Sequence, residues 1–233
     1  MSDGRIPEQI KKFLFSSKNR ANGDTQGESV EILIPELLQA SYSFYTWPSA
    51  PILAWFLWEH RHELPHQRVL ELGSGTALPG ILAAKCGAQV TLSDSSTLPK
   101  SLSHIERCCQ LNNLIVNRHI RVIGITWGLF LNNIFNVGPL DLILENNSGA
   151  KFLCTYQERS SDWSIEHLLT KWDLTCAVIN INNLGREAGI DIHELTVVVR
   201  LQVSSQELKL YFITKTVSIP LLTFSRINWK EIC

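Results

Sequence analysis

The residues of clearest chemical meaning are Glu71, Gly73, Ser74 and Gly75, which lie at the end of a short apolar segment. Glycines in a turn between a strand and a helix let the backbone pass close to a ligand, because a Cβ would collide with it. Glu71 suits a cationic ligand and would repel a diphosphate. The pattern therefore favours a nucleoside that carries an amine and a sulfonium, and a purely structural strand-to-helix turn is the alternative.

Two other nucleotide-binding patterns fail in the residues after these glycines. A dinucleotide site requires a third glycine where Leu78 stands, and a phosphate-binding loop requires Lys and Ser or Thr where Ile81 and Leu82 follow Gly80. Pro79 also removes one N–H from the start of the helix, which weakens a pyrophosphate site. A nicotinamide-dependent oxidoreductase is therefore disfavoured.

Asp94 ends the next apolar segment along the chain. An acid at this place can accept hydrogen bonds from both hydroxyls of a ribose, as in dinucleotide-binding folds. A helix-capping or turn aspartate is the alternative. Together with the glycines before it, Asp94 indicates nucleoside binding.

A second motif, His62-Glu63-Leu64-Pro65-His66, matches the zinc-protease pattern. That chemistry needs both histidines on one face of a helix, and Pro65 lies inside the required turn. The segment is therefore interpreted as a helix end with solvated histidines, and no metal site is predicted.

Strands and helices alternate around these residues, which predicts an α/β fold with parallel βαβ units in a doubly wound sheet. Before them, Ile10–Phe15 and Val30–Ile34 alternate apolar and polar residues and predict a β-hairpin with a flexible loop. The predicted strands of the sheet are Arg68–Leu72, Gln89–Leu92, His119–Ile123, Leu140–Leu144, Phe152–Thr155, Thr175–Ile181 and Leu195–Val203. The predicted helices are Ile52–His62, in which Ser49 is expected to cap the N-terminus, Pro79–Cys86, Leu98–Leu111 and Ser164–Lys171.

Composition narrows the class of protein further. The 233 residues are 45% apolar with a net charge of −1, so a packed core is expected and direct nucleic-acid binding is disfavoured. No signal peptide and no apolar run long enough to cross a membrane is recognisable. The six cysteines form no Cys-x-x-Cys pair and are interpreted as free thiols in a reducing compartment.

Residues 45–181 resemble the class I S-adenosylmethionine-dependent methyltransferases of the small methyltransferase-like, seven-β-strand type. The segments that carry the resemblance are Tyr45–Pro48, Leu70–Thr76, Leu78–Gly80, Val90–Asp94, Asn112–Leu114, Thr126–Gly128 and Asp141–Leu144. The resemblance implies S-adenosylmethionine as cofactor, with Trp47 at the pocket wall, Gly73, Ser74 and Gly75 in the glycine turn, Asp94 on the ribose and Trp127 at the adenine. It also implies methylation of a protein nitrogen, with histone arginine on H3 as the leading substrate, a place in nucleus and cytoplasm, and chaperones as further partners.

The chain departs from this family after Leu144. Only the seven residues Glu145–Lys151 separate two predicted strands, whereas a parallel crossover needs about a dozen residues or more. Phe152–Thr155 is therefore expected to pair antiparallel with Leu140–Leu144 or to leave its usual place, and the catalytic residues stay unassigned.

Three regions follow from this comparison: an arm with the hairpin at 1–44, a methyltransferase-like domain at 45–203, and an unfamiliar tail at 204–233 that adds an edge strand or packs poorly. A variant form from an alternative transcript, with one internal loss after the fourth strand and one new end, would account for both departures. It leaves two functions open, an active protein-arginine methyltransferase and a catalytically impaired module that binds cofactor or protein.

Overall fold

The computed structural model describes residues 8–17, 27–37 and 42–126, together with the backbone of residues 152–157, 174–179, 196–203 and 212–214. Leu140–Leu144, Ser164–Lys171 and Trp127 lie outside the described residues. The strand, the helix and the adenine contact expected there remain predictions.

A mixed sheet of seven strands forms the centre of the fold, in the order β5-β4-β3-β9-β6-β8-β7. These strands are β3 (Arg68–Leu72), β4 (Gln89–Asp94), β5 (Ile120–Gly124), β6 (Phe152–Gln157), β7 (Leu174–Ile179), β8 (Thr196–Val203) and β9 (Phe212–Thr214). Neighbouring strands from β5 to β6 are parallel, and β8 runs antiparallel to both β6 and β7. The predicted α/β class is confirmed, although one strand breaks the parallel arrangement.

The C-terminal tail supplies β9, which lies inside this sheet. Leu70 is opposite Phe212, and Thr214 is opposite both Leu72 of β3 and Cys154 of β6. The expectation that the tail would add an edge strand is therefore wrong. An interior strand pairs on both sides and so hydrogen-bonds the backbone groups that β3 and β6 would otherwise expose at an edge.

Within the part of the chain that the structure describes, three α-helices pack against the strands: α1 (Ser49–Glu59), α2 (Leu78–Lys85) and α3 (Pro99–Leu111). The first begins earlier than predicted, because prolines are tolerated in a first helical turn. Ser49 does not cap α1, which corrects the sequence expectation: Pro48 holds the N-cap position and Ser49 is the first helical residue. After α1 the chain tightens into a 3₁₀ turn, Arg61–Glu63.

The predicted N-terminal hairpin is present as β1 (Glu8–Ser16) and β2 (Ser29–Leu37), paired antiparallel with Phe13 opposite Ile32. Its apolar face joins the core: Ile32 and Ile34 are fully buried, and the Phe15 ring lies 5.0 Å from the Trp55 ring of α1. The alternation of apolar residues therefore identified both the strands and the buried face.

The side chain of Asn112 fixes the hairpin to the end of α3. Its Oδ1 accepts the backbone N–H of Leu33 at 2.9 Å, and its Nδ2 donates to the carbonyl of the same residue at 2.7 Å. Arg61 holds the other end of the hairpin, donating to Ser17 Oγ and pairing with the carboxylate of Glu28. The hairpin is thus fastened at two separate points, to the end of α3 and to the 3₁₀ turn that follows α1.

Among the described residues, no helix is both long and apolar enough to cross a membrane.

Candidate cofactor site

The turn between β3 and α2 adopts a backbone conformation that requires glycine. Gly73 has φ 63° and Gly75 has φ 50°, both in the left-handed region. A Cβ added to Gly73 would meet no atom of the described residues within 4 Å, so among these residues the turn borders open space there. Ala77 also has a positive φ of 57°, a strained position that sequence reasoning did not identify.

Ser74 uses its side chain to join the ends of β3 and β4. Its hydroxyl donates to the carbonyl of Glu71 at 3.2 Å and accepts the N–H of Ser93 at 3.1 Å. Its own N–H donates to the carbonyl of Ser93 at 2.8 Å. Because Ser74 is fully buried and its hydroxyl bonds both strands, its side chain fixes the shape of the turn.

Asp94 and Gly75 are joined by a hydrogen bond. Oδ2 of Asp94 accepts the N–H of Gly75 at 2.9 Å, and Oδ1 accepts the N–H of Ser95 at 2.7 Å. An ionised carboxylate offers about four acceptor positions, so about two remain for hydroxyl donors. The half-buried carboxylate therefore has the capacity to bind a diol beside the glycine turn.

Glu71 lies behind the turn and is fully buried. Its Oε2 accepts the N–H of Gly80, in the first turn of α2, at 3.0 Å. Ala77 at the N-cap has no side-chain oxygen, so the carboxylate of Glu71 takes the place of a capping side chain. Its negative charge also interacts favourably with the positive end of the helix dipole. Sequence reasoning missed this contact, although the lack of a capping residue before Pro79 was a visible signal.

Gly80 is required by the same contact. A Cβ at this position would lie 2.4 Å from Oε2 of Glu71 and 2.4 Å from Cδ2 of Leu92. The glycine therefore allows α2 to approach both strands closely enough for the carboxylate to reach its N–H.

Trp47 follows Thr46, which contacts the residue after the glycine turn. The hydroxyls of Thr46 and Thr76 are 3.1 Å apart, and both residues are buried. The Trp47 ring packs edge-on against Tyr45, with ring centroids 5.5 Å apart. The structure thus brings Trp47, the glycine turn and Asp94 into one region, through threonines that sequence reasoning had not selected.

Hydroxyl side chains anchor the segment that leads to Trp127. Oγ1 of Thr126 lies 2.6 Å from the Ser96 hydroxyl and accepts the N–H of the same residue at 3.0 Å. The N–H of Ile125 donates to the carbonyl of Asp94 at 2.8 Å. The residue before Trp127 is therefore held beside Asp94, and the position of Trp127 itself lies outside the described residues.

The histidine motif does not form a site. His62 lies in the 3₁₀ turn with an exposed side chain, and His66 follows Pro65 with φ 66°, so the two are not on one helical face. Within 8–17, 27–37 and 42–126, no three potential ligands cluster around a common point. Cys86, Cys108 and Cys109 are not joined in disulfide bonds, and burial raises the pKa of the Cys109 thiol to about 12.

The known proteins that are similar in sequence to this chain are methyltransferases. A family model described as "Lysine methyltransferase" matches residues 26–173. The chain is 41% identical to the histone-arginine methyltransferase METTL23 of Xenopus laevis over 208 residues, which covers 80% of this chain and 85% of that protein. It is 32% identical to the protein-lysine methyltransferase METTL21E of Mus musculus over 97 residues, 40% of this chain and 38% of that one.

Among solved structures, a putative methyltransferase complexed with SAH is similar, with a TM-score of 0.42 and 15% identity. The matched region covers 73% of this chain and 53% of the chain in that structure.

Proposed function

The chain belongs to the lysine methyltransferase family of S-adenosylmethionine-dependent enzymes, and we propose that it methylates arginine on a histone, with H3 as the substrate. Arginine is favoured over lysine because the relative named for histone arginine matches most of this chain, whereas the relative named for lysine matches well under half of it. The proposal also places the protein in the nucleus and the cytoplasm. It includes chaperones as further partners.

The proposed cofactor contacts are those of the glycine turn and its surroundings. Asp94 receives the ribose hydroxyls on the acceptor positions that Gly75 and Ser95 leave open. The backbone of Gly73, Ser74 and Gly75 borders the methionine part, Trp47 forms a wall, and Trp127 covers the adenine, whose apolar faces suit an aromatic neighbour. Glu71 supports this site through Gly80, from behind the turn.

The hydrogen bond between Gly75 and Asp94 is the observation that carries this proposal. It places an acid with open acceptor positions beside a turn that borders open space, which is what a nucleoside without phosphates requires. Bound S-adenosylmethionine supplies a methyl group that its sulfonium activates. The residues described here bind and orient it, and rate enhancement from such alignment is substantial.

A second candidate function is a catalytically impaired module that binds the cofactor or another protein. It is favoured by the short connection Glu145–Lys151, which leaves too few residues for a crossover and its usual catalytic loop. The same proposal divides the chain into regions 1–44, 45–203 and 204–233. The tail contributes β9 to the sheet of the central domain.

Titration calorimetry with S-adenosylmethionine, together with tritium transfer from labelled cofactor to histone H3, separates these functions. Binding with transfer to H3, and no transfer to H3 whose arginines are replaced by lysine, supports the first. Binding without transfer to any histone supports the second. Absence of cofactor binding would contradict the first function and the cofactor-binding form of the second.

A further inference from the structure

A buried carboxylate on the N-terminal hairpin faces the segment that carries Trp47. Glu36 of β2 is only 4% exposed, and its Oε1 accepts the backbone N–H of Thr46 at 3.0 Å. Lys11 of β1 places its Nζ 3.7 Å from the same oxygen. Burying a charge is costly unless it is paired and hydrogen-bonded, and Glu36 has both kinds of partner.

Thr46 passes this contact on to the glycine turn. Its backbone is held by Glu36, and its hydroxyl is 3.1 Å from the hydroxyl of Thr76, the residue after Gly75. Thr46 and Thr76 are both buried, so water does not compete for this bond. A continuous line of hydrogen bonds therefore runs from the hairpin to the turn that is proposed to hold the cofactor.

Lys11 provides a second contact between the hairpin and the same segment. Its Nζ lies 5.9 Å from the ring centroid of Tyr45, within the range of a cation–π interaction, and Tyr45 packs edge-on against Trp47. Lys11 thus contacts Tyr45, and Tyr45 contacts Trp47. Both sequence neighbours of Thr46 are therefore linked to the hairpin through ring contacts.

We propose that Glu36 is a positioning residue of the cofactor site, which holds Thr46 and Trp47 against the glycine turn and makes the hairpin part of that site. The inference rests on the proposed function, because it takes S-adenosylmethionine as the ligand. The hydrogen bond to Thr46 does the positioning, and the charge of Glu36 is balanced by Lys11. A neutral side chain that still accepts this hydrogen bond is therefore sufficient.

The test compares Glu36→Gln and Glu36→Leu by calorimetry with S-adenosylmethionine. Glutamine keeps an acceptor for the N–H of Thr46, so its dissociation constant should stay within about threefold of wild type. Leucine leaves that buried N–H without an acceptor, so its dissociation constant should rise about tenfold. Equal affinity of a folded Glu36→Leu variant would overturn the proposal.

Glu31→Gln and Glu31→Leu are the matched controls. Glu31 is on the same strand and pairs with Lys12 of β1, but both side chains are exposed and lie away from Thr46. These controls should bind cofactor like wild type, because exposed ion pairs contribute little. An equal loss in Glu31→Leu and Glu36→Leu would mean that the hairpin acts only through general stability, which would also overturn the proposal.

Hydrogen exchange gives a readout that general destabilisation does not mimic. In Glu36→Leu the amide of Thr46 should exchange faster, while the amides paired between β1 and β2 keep their protection. If Glu36→Leu does not fold, Thr46→Val keeps the backbone contact, removes the hydroxyl that meets Thr76, and should weaken cofactor binding several-fold. Unchanged affinity in Thr46→Val would then count against the proposal.

Different results would refute the proposed function and the inference about Glu36. Wild-type protein that binds no S-adenosylmethionine refutes the proposed function, and with it this inference. Wild-type protein that binds, alongside variants of Glu36 and Thr46 that bind equally well, refutes the inference alone.

Discussion

Gly75 donates its backbone N–H to Oδ2 of Asp94 over 2.9 Å, which ties the turn after β3 to the end of β4. Asp94→Ala removes this acceptor and both proposed ribose contacts. Hydrogen bonds to a charged group contribute about 1.5–3 kcal/mol each, so affinity for S-adenosylmethionine should fall at least a hundredfold. Calorimetry measures this loss, and unchanged affinity in a folded variant would refute the proposed ribose contact.

Gly73 allows the effects of backbone strain and of blocked space to be separated. Gly73→Ala and Gly73→Arg both place a side chain at φ 63°, which costs about 1–2 kcal/mol of stability. Only arginine extends into the open space beside the turn. Thermal unfolding should show similar destabilisation of the two variants, whereas cofactor binding should be abolished in Gly73→Arg alone. Equal binding by both would mean that no ligand occupies this space.

Gly80 should be among the least replaceable residues of α2. The Cβ of Gly80→Ala would lie 2.4 Å from Oε2 of Glu71, so the helix must shift and the stabilising contact is lost. Overpacking of this kind costs about 1–3 kcal/mol, measurable by urea denaturation. Ala83→Gly, in the same helix, is a control for intrinsic helix propensity and should cost about 1 kcal/mol in addition to its buried methyl. A Gly80→Ala protein as stable as wild type would show that α2 does not depend on this close approach.

Buried Cys109 makes stability fall in alkaline solution. Burial raises the pKa of its thiol from 9.0 to about 12, so above pH 9 the unfolded chain releases this proton before the folded chain does. The stabilisation is complete below pH 9 and is lost as the pH rises toward 12, by at most about 1.4 kcal/mol per pH unit for this one thiol. Urea midpoints at pH 8 and pH 10 measure the loss.

Cys109→Ala provides the comparison for this pH effect. The variant should be less stable at both pH values, because it leaves a small cavity, but its loss between pH 8 and pH 10 should be smaller than that of wild type. The same pH dependence in both proteins would assign the effect to other groups.

Deletion of the tail should damage the sheet. A chain that ends at Val203 lacks β9, so β3 and β6 lose the strand between them and their edges become exposed. A chain that ends at Thr216 keeps Phe212–Thr214 and is the matched control. We expect cooperative urea unfolding in the longer chain and its loss, or aggregation, in the shorter one. Two equally stable chains would show that β9 is dispensable.

Local patterns in the sequence were sufficient to predict much of the fold. The hairpin followed from alternating apolar residues, and the strand–turn–helix around Gly73 and the approach of Asp94 followed from residue types at a characteristic spacing. These features depend on neighbours in the chain or on consecutive strands. They are the features for which local propensity and tertiary structure agree.

The features that sequence reasoning missed depend on distant contacts. The tail was expected to add a strand, but the place of β9 inside the sheet depends on its neighbours β3 and β6, which no local period shows. Glu36 lies beyond the predicted strand Val30–Ile34, and its role as a buried acceptor depends on the packing of Thr46 against β2. The hydrogen bond from Gly80 to the carboxylate of Glu71 is also a contact between separate elements, because it depends on how close α2 lies to β3.

The position of β9 also bears on how the protein is made. During translation β3, β4 and their glycine turn leave the ribosome long before Phe212, so one side of β3 has no partner until almost the whole chain has been synthesised. Such non-local pairing slows folding and leaves an unpaired strand open to association with other chains. The nascent protein is therefore expected to depend on protection during synthesis, and a ribosome that stalls before residue 212 would release a chain that cannot close its own sheet.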